Sequence, residues 1–276
     1  MKYYYLISSL PDISPHSDAS KLDFDDLFDT IRRNLNKEDR RFMRYLIYPN
    51  DLNNLLSMLS HEYRDTQTVH FKKPSIFYPE EIKAYKLTRR NFPDFMNDFL
   101  SENEDRLATM SLREMEDAML DRFYSKVFSL NNHFLTNYYK FVRELTSLTA
   151  AFHFNTYSFL SQPNIHDADR LILQVGPDRS PSAMVIKDYP YLEELIKVLS
   201  KHQPEKTERF IDSVIWNYLD DTTEGAFSRE AVYAYAVKLQ LLQRWLKIDP
   251  KPNNEDFEKL LDKIINNNPT EKTPTL

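Results

Sequence analysis

Apolar side chains recur at helical spacing along one long stretch of the chain, residues 111–161. The stretch contains neither glycine nor proline. Its eleven apolar steps cover 40 residues, about 3.6 residues per step, which is the period of an α-helix. The pattern predicts a helical spine whose apolar positions are Leu112, Met115, Met119, Phe123, Val127, Leu130, Phe134, Tyr138, Phe141, Leu145, Leu148 and Phe152.

The ends of this spine carry ordinary helix signals. Ser111 and Glu114 have the spacing of a capping box, and Pro163 prevents continuation at the far end. An unbroken helix of this length would extend about 75 Å, whereas a compact protein of this size is only about 50 Å across. We therefore expect one long, bent helix or two stacked helices, with the change of direction at the polar residues 129–132.

Shorter amphipathic patterns surround the spine and divide the chain into lobes. Residues 23–35, 36–48 and 51–61 each predict a helix of an N-terminal helical lobe, 1–110, before the spine at 111–162. Residues 63–79 are polar and contain prolines, which predicts a loop. The opening residues 3–10 are apolar and fit either a strand or a short buried helix.

The last third of the chain returns to strong helical periodicity and predicts a C-terminal helical lobe, 163–265. The segment 231–246 is apolar on nearly all sides, which is typical of a buried helix, and a last amphipathic helix is predicted over 257–265. Residues 171–175 fit an extended piece or a frayed helix end, and they could pair with 184–186 as a small β-hairpin. The tail, 266–276, has the composition of a disordered segment. The fold class predicted is all-α, an elongated multi-helix bundle around a long central helix.

The amino-acid composition excludes several classes of functional site but does not identify a function. The chain has only two glycines, Gly176 and Gly225, no cysteine and a net charge of −6. Glycine-rich phosphate loops, disulfides, iron–sulfur clusters and thiol catalysis are therefore excluded, and nucleic acid is not an expected partner. No secretory signal and no apolar run of membrane-spanning length occurs. We predict a soluble, cytoplasmic protein without a direct membrane span.

The sequence offers no convincing catalytic, cofactor-binding or metal-binding residue. None of the seven histidines has a second histidine three to five residues away, as a helical zinc site would need. His166, Asp167 and Asp169 could hold a cation weakly, but a solvated loop is the preferred interpretation. Adjacent acids such as Asp25 and Asp26 are explained as helix-start residues. No cofactor is predicted.

The two tryptophans lie on apolar helical faces. Core packing is the favoured interpretation for Trp216 and Trp245, and a protein–protein hot spot is the alternative. Arg244 is predicted to form a salt bridge with Asp220 or Asp249.

Three segments of the chain carry a family resemblance, and they are Tyr3-Tyr4-Tyr5-Leu6 through Leu10-Pro11, Arg209-Phe210-Ile211-Asp212 with Trp216-Asn217-Tyr218-Leu219-Asp220, and Leu239-Gln240-Leu241-Leu242-Gln243-Arg244-Trp245-Leu246 with Ile248-Asp249. In this order and spacing they resemble a family of uncharacterised bacterial proteins associated with V/A-type ATPases, whose genes lie among those for ATPase subunits. The chain departs from that family at 143–148, where asparagines are expected, and at 180–189, where basic residues and glycine are expected.

The resemblance implies a role similar to that of the C-type adaptor of these ATPases, known as the d-type adaptor in eukaryotes. That adaptor is a helical protein of the central stalk between the rotor axle and the membrane proteolipid ring, so it implies a part in hydrogen ion or sodium ion transport. The partners implied are other ATPase subunits, and the location implied is the cytoplasmic face of the inner membrane, reached through those partners. The alternatives are a helical scaffold or assembly factor, an unrelated protein-interaction module, and an enzyme using His133, His153 and nearby acids.

Overall fold

The structure is a computed structural model, and it describes residues 3–64, 69, 71–157, 168–223 and 225–248. Within these ranges all regular secondary structure is helical, which confirms the all-α fold class. The α-helices are α1 (Tyr4–Ser9), α2 (Phe24–Asn34), α3 (Lys37–Met43), α4 (Tyr48–Arg64), α5 (Pro79–Lys83), α6 (Tyr85–Thr88), α7 (Asp94–Asn103), α8 (Leu112–Phe128), α9 (His133–Thr156), α10 (Ala168–Gln174), α11 (Ala183–Asp188), α12 (Leu192–Leu199), α13 (Pro204–Thr223) and α14 (Arg229–Ile248).

Packing groups the chain into two compact units whose boundaries differ from those of the predicted lobes. Unit 1 combines residues 1–27 with 140–276, and unit 2 is residues 28–139. The N-terminal lobe, 1–110, thus contributes its first segment to the unit that also holds the C-terminal helices. The predicted helix over 257–265 and the predicted disordered tail lie outside the described residues.

The spine consists of two helices, α8 and α9, and the break between them falls at 129–132, where it was predicted. Nine of its twelve apolar positions are buried. The Ser111–Glu114 capping box is present, with the Ser111 N–H 2.6 Å from Glu114 Oε2. Asn132 is the residue that starts α9, because its Oδ1 accepts the backbone N–H of Leu135 at 3.0 Å.

The two open alternatives for short apolar segments are both resolved as helices. The opening segment forms α1, not a strand. The predicted β-hairpin is wrong, because its two arms form α10 and α11. Leu171 and Val175, four residues apart, are buried, while Leu173 between them is 68% exposed. A strand would have placed all three side chains on one face, so their burial follows the helical period instead.

Pro49 lies inside α4 and does not separate two helices as predicted. We expected Pro49 to terminate one helix and a new one to begin at Asp51, yet α4 already begins at Tyr48. Pro49 lies in the first turn of α4, where its missing N–H would have had no helical acceptor. Whether a proline ends a helix therefore depends on its position, and the first turn tolerates it.

Aromatic rings fill the core of unit 2. Phe95 of α7 meets Phe123 of α8 edge-on with ring centroids 5.5 Å apart, and Phe123 meets Tyr139 of α9 at 5.0 Å. The buried hydroxyl of Tyr139 donates to the carbonyl of Tyr45 at 2.6 Å. Burial raises the pKa of Tyr139 well above its usual value, which keeps the hydroxyl protonated as a donor.

A polar row on α4 holds the segment 72–77 of unit 2, which we call the strip. Asn54 accepts the Lys72 N–H at 2.7 Å and donates to the Lys72 carbonyl at 3.1 Å. Asn50 donates to the Pro74 carbonyl at 2.9 Å. The strip is a loop, as predicted, and side chains of α4 supply its hydrogen bonds in place of a neighbouring strand.

Asp51 is the centre of this row and is completely buried. Its carboxylate accepts the Ser75 hydroxyl at 2.5 Å, the Ile76 N–H at 3.1 Å and the Phe77 N–H at 3.2 Å. Burial raises the pKa of Asp51 to about 6 against the lowering effect of these donors, and the negative charge of Glu81 raises it further. The strip is therefore fixed to α4 by a carboxylate whose ionised form is destabilised by burial.

Gly176 allows a close approach of the segment after α10 to α9 within unit 1. A Cβ at this position would lie 2.9 Å from the Cβ of Asn155. The Asn155 amide donates to the carbonyls of Ile172 at 2.6 Å and Val175 at 2.7 Å, so Asn155 cannot move aside without losing both bonds. Glycine is needed here for space, whereas Gly225 has a φ of 65° and open space around it.

Substitutions at the two glycines should separate these two reasons. Gly176→Ala should lower the free energy of unfolding by about 1–3 kcal/mol through overpacking, and Gly225→Ala by about 1–2 kcal/mol through its left-handed backbone. Asparagine tolerates that backbone, so Gly225→Asn should recover most of the loss, while Gly176→Asn should be at least as harmful as Gly176→Ala. Urea denaturation of the four variants measures this, and a rescue at both positions would contradict the close-approach explanation.

Candidate interaction surface

Helices α13 and α14 of unit 1 pack against each other around one buried carboxylate. Asp212 on α13 has no exposed surface. Its Oδ2 accepts the indole N–H of Trp245 at 2.6 Å and the Nε–H of Arg244 at 3.1 Å, and a second guanidinium nitrogen of Arg244 contacts Oδ1. A buried carboxylate requires such partners, so this group fixes the two helices in one axial register.

The two tryptophans continue this contact. The rings of Trp216 and Trp245 are stacked, with centroids 6.1 Å apart and an interplanar angle of 22°. Arg209 lies 5.7 Å from the Trp245 ring, and the ammonium of Lys238 lies 5.1 Å from the Trp216 ring while also bonding to Asp220. Both indoles are buried, which confirms the core interpretation. We call these two helices and their cross-links the tryptophan clamp.

Of the two partners predicted for Arg244, Asp220 is wrong. Arg244 pairs with Asp212 and, at 3.5 Å, with Glu208, while Asp220 pairs with Lys238. The two helices are offset such that the end of α14 meets the beginning of α13. Asp249, the other predicted partner, lies outside the described residues.

The N-terminal segment lies against α14 in the same unit. The hydroxyl of Tyr235 donates to the Pro11 carbonyl at 2.8 Å. Burial, with the negative charge of Asp12, raises the pKa of Tyr235, so this hydroxyl remains a donor. Tyr4 of α1 contacts the ring of Phe227, just before α14, with centroids 4.8 Å apart. The three segments that carry the resemblance thus belong to one unit.

Three aromatic side chains beside this contact are open to solvent. Tyr5 is 87% exposed, Tyr4 is 44% exposed and Phe227 is 37% exposed. Tyr4 touches both of the others, since its ring also meets Tyr5 edge-on at 5.6 Å. These three residues form the aromatic patch, a candidate contact surface for a partner. Tyr4 and Tyr5 belong to the first resembling segment, whereas Phe227 was missed because a turn residue carries no periodic signal.

The two histidines of the enzyme hypothesis lie on the same helix, with His133 at the start of α9 and His153 near its end. At about 1.5 Å per residue they are roughly 30 Å apart along the helix, too far to act on one substrate group. His153 stacks on Tyr157, whose hydroxyl lies 3.4 Å from Nδ1 of His202. Burial lowers the pKa of His153, and the nearby His202 lowers it further. His153 is thus a half-buried ring packed at the surface of unit 1.

Other candidate sites have simple structural outcomes. Asp25 and Asp26 lie in the first turn of α2, as expected for helix-start acids. His166 and Asp167 lie outside the described residues. In the part of the chain that the structure describes, no group of three histidine or acidic residues is arranged to hold a metal ion. No helix among those residues is long and apolar enough to cross a membrane.

Comparison with known protein families places nearly the whole chain in one family. A sequence model of the family described as "Protein of unknown function (DUF2764)" matches residues 1–268. No curated protein matches the chain. No solved structure matches it either. The function must therefore be inferred from the residues of this chain.

Proposed function

We propose that this chain, which belongs to the DUF2764 family, is a non-catalytic adaptor of a V/A-type ATPase. Its role would be similar to that of the C-type adaptor, the d-type adaptor of eukaryotes, which links the rotor axle to the proteolipid ring. The observation that supports the proposal most is the common location of the three resembling segments. Asp212 joins the second segment to the third, and the first segment lies against α14.

The tryptophan clamp has the mechanical character that such an adaptor needs. A protein that transmits torque must resist relative sliding of its helices. Asp212 ties α13 to both Arg244 and Trp245, and Lys238 ties α14 to Asp220 and the ring of Trp216. Sliding by one helical turn would break these bonds together and leave a carboxylate buried without a partner, which is strongly unfavourable.

The aromatic patch is the surface we assign to the partner protein. Tyrosine and phenylalanine are enriched in protein–protein interfaces because they offer large contact area with few rotatable bonds. Tyr5 protrudes from α1, and α1 is fixed to unit 1 through Tyr4 and Phe227. In this proposal the protein reaches the inner membrane through the ATPase complex, and its partners are the rotor axle and the proteolipid ring.

Co-purification tests the proposal. The full chain, with an affinity tag at its C-terminus, would be expressed in its native host and recovered from membranes in mild detergent. We expect rotor and proteolipid subunits in stoichiometric amounts. Tyr5→Ala combined with Phe227→Ala should reduce their recovery about tenfold or more, as for interface hot spots. Leu173→Ala, also highly exposed in unit 1, is the matched control and should change nothing.

Two outcomes distinguish the alternatives. Substoichiometric recovery that depends on Tyr5 would favour a transient assembly factor over a permanent subunit. Recovery of the wild-type chain without any ATPase subunit would overturn the proposal and leave a helical interaction module with other partners.

A further inference from the structure

A small corner of unit 2 is formed by α5, α6 and the 3-10 turn Arg89–Asn91, residues 78–91. Glu81 ties its beginning to its end. Its carboxylate accepts the Tyr78 N–H at 2.9 Å and the Asn91 amide at 3.5 Å, and its carbonyl accepts the Thr88 hydroxyl at 2.7 Å. These residues therefore form one compact surface feature, which we call the corner.

Two apolar side chains project from the corner into solvent. Leu87 is 83% exposed and Tyr78 is 73% exposed, the two highest values for large apolar residues in the described part of unit 2. Ile82 and Tyr85, which lie between them along the chain, are buried. The helices of the corner are thus fixed by their own core residues, and Leu87 and Tyr78 contribute nothing to that core.

The corner and the adjoining strip are also strongly basic. Residues 72–91 contain six cations and two acids, a net charge of +4 in a chain whose net charge is −6. Lys86 pairs with Glu62, and Arg89 lies 3.7 Å from Glu104. Within the described ranges, Lys73, Lys83 and Arg90 form no ion pair, although the Lys83 ammonium lies 5.9 Å from the ring of Phe71.

The strip that precedes the corner is anchored to α4 by hydrogen bonds. The strip that leads into Tyr78 is held to α4 by Asp51 and Asn54, which bond to Phe77 and Lys72 respectively. Because the strip is fixed, Tyr78 and Leu87 are displayed without the conformational freedom of an ordinary exposed loop. Less entropy is then lost when they bind.

We propose that this corner contacts an anionic lipid bilayer directly. Leu87 and Tyr78 enter the boundary between headgroups and acyl chains, where leucine and tyrosine are favoured, and Lys73, Lys83 and Arg90 face lipid phosphates. An acidic protein is the weaker candidate, since Tyr78 and Leu87 are the only exposed large apolar side chains of residues 72–91, too few for the apolar centre of a stable protein interface. This contact does not depend on the proposed function, in which partner proteins alone reach the membrane.

Flotation with vesicles tests the proposal on the full, purified chain. Neutral vesicles are phosphatidylcholine, and anionic vesicles contain about 30% phosphatidylglycerol in phosphatidylcholine. We expect binding to anionic vesicles to exceed binding to neutral ones by about tenfold or more, and to weaken as salt is raised. Leu87→Ala should weaken the binding about threefold to tenfold through lost apolar burial. Leu87→Ala with Lys83→Glu should abolish it.

The matched control is Met184→Ala with Lys187→Glu on α11 of unit 1. Met184 is 72% exposed, so the control removes the same kind of apolar contact and reverses the same charge. It should leave vesicle binding unchanged. The inference is overturned if the wild-type chain does not bind anionic vesicles or if the control weakens binding equally. Loss of a co-purifying acidic protein on Lys83→Glu, without vesicle binding, would assign the corner to a protein partner. No ATPase subunit is present with vesicles, so this result is independent of the co-purification.

Discussion

Replacing Asp212 by alanine should lower the free energy of unfolding by about 1–3 kcal/mol, the usual cost of leaving a buried donor without its acceptor. The substitution leaves the buried indole N–H of Trp245 without its Asp212 acceptor and removes one carboxylate partner of Arg244. It also removes the group that sets the register of α13 against α14. Urea denaturation followed by tryptophan fluorescence measures the loss, since Trp216 and Trp245 both lie in the clamp.

Glu208→Ala is the matched control for this experiment. Glu208 is also on α13 and pairs with Arg244 of α14, but its side chain is 49% exposed and that of Arg244 is 43% exposed. An exposed ion pair contributes about 0–1 kcal/mol, so the control should unfold nearly as the wild type does. Equal losses for the two variants would mean that burial of the Asp212 carboxylate is not what fixes the helices.

Asp51→Asn should remove a pH dependence of stability worth about 3 kcal/mol, which is the difference between a pKa of about 6 and the usual value of 3.8. The folded state binds the proton more tightly than the unfolded state. The stabilisation is therefore complete below pH 3.8 and is lost as the pH rises to about 6. Relative to the variant, the wild-type chain should gain stability as the pH falls from 7 to 4, as measured by denaturation at several pH values.

Asp25→Asn provides the comparison for this titration. Asp25 is an exposed residue of the first turn of α2. The difference between this variant and the wild type should show no comparable gain as the pH falls. A pH-independent difference between Asp51→Asn and the wild type would contradict the assignment of a buried, destabilised carboxylate beneath the strip.

Helices and their caps were the most predictable part of the fold. The α-helical period of the spine correctly identified its buried face, and Ser111 with Glu114 correctly marked its start. The apolar residues on nearly all sides of 231–246 likewise predicted the burial of α14. These features depend on residues near one another in sequence, so a local pattern contains all the information that they require.

Other features depend on where two elements meet. The apolar period continues in phase across 129–132, so the polar residues there, and not the period, predicted the break at which Ser129 ends α8 and Asn132 begins α9. The apolar segments 171–175 and 184–186 are short enough to fit a strand or a helix, and only packing decided between them. Period identifies a face, but it does not show where a helix is interrupted.

The candidate sites show the same limit. The resemblance identified the segments of the clamp, but it did not show that Arg244 meets Asp212 and not Asp220, since that depends on the axial offset of two helices. The corner was not foreseen at all. Tyr78 lies in the segment predicted as a loop and Leu87 lies beyond it, and only their exposure in the folded chain distinguishes them.

The boundaries between the two units both lie inside helices, which limits how the protein can be divided for experiments. One boundary follows Leu27 within α2, and the other follows Tyr139 within α9. A fragment covering 28–139 would begin and end in mid-helix, with severed turns whose N–H and C=O groups have lost their acceptors and donors. Deletion of either unit therefore damages the one that remains, and point substitutions at exposed residues are the safer way to assign functions to each.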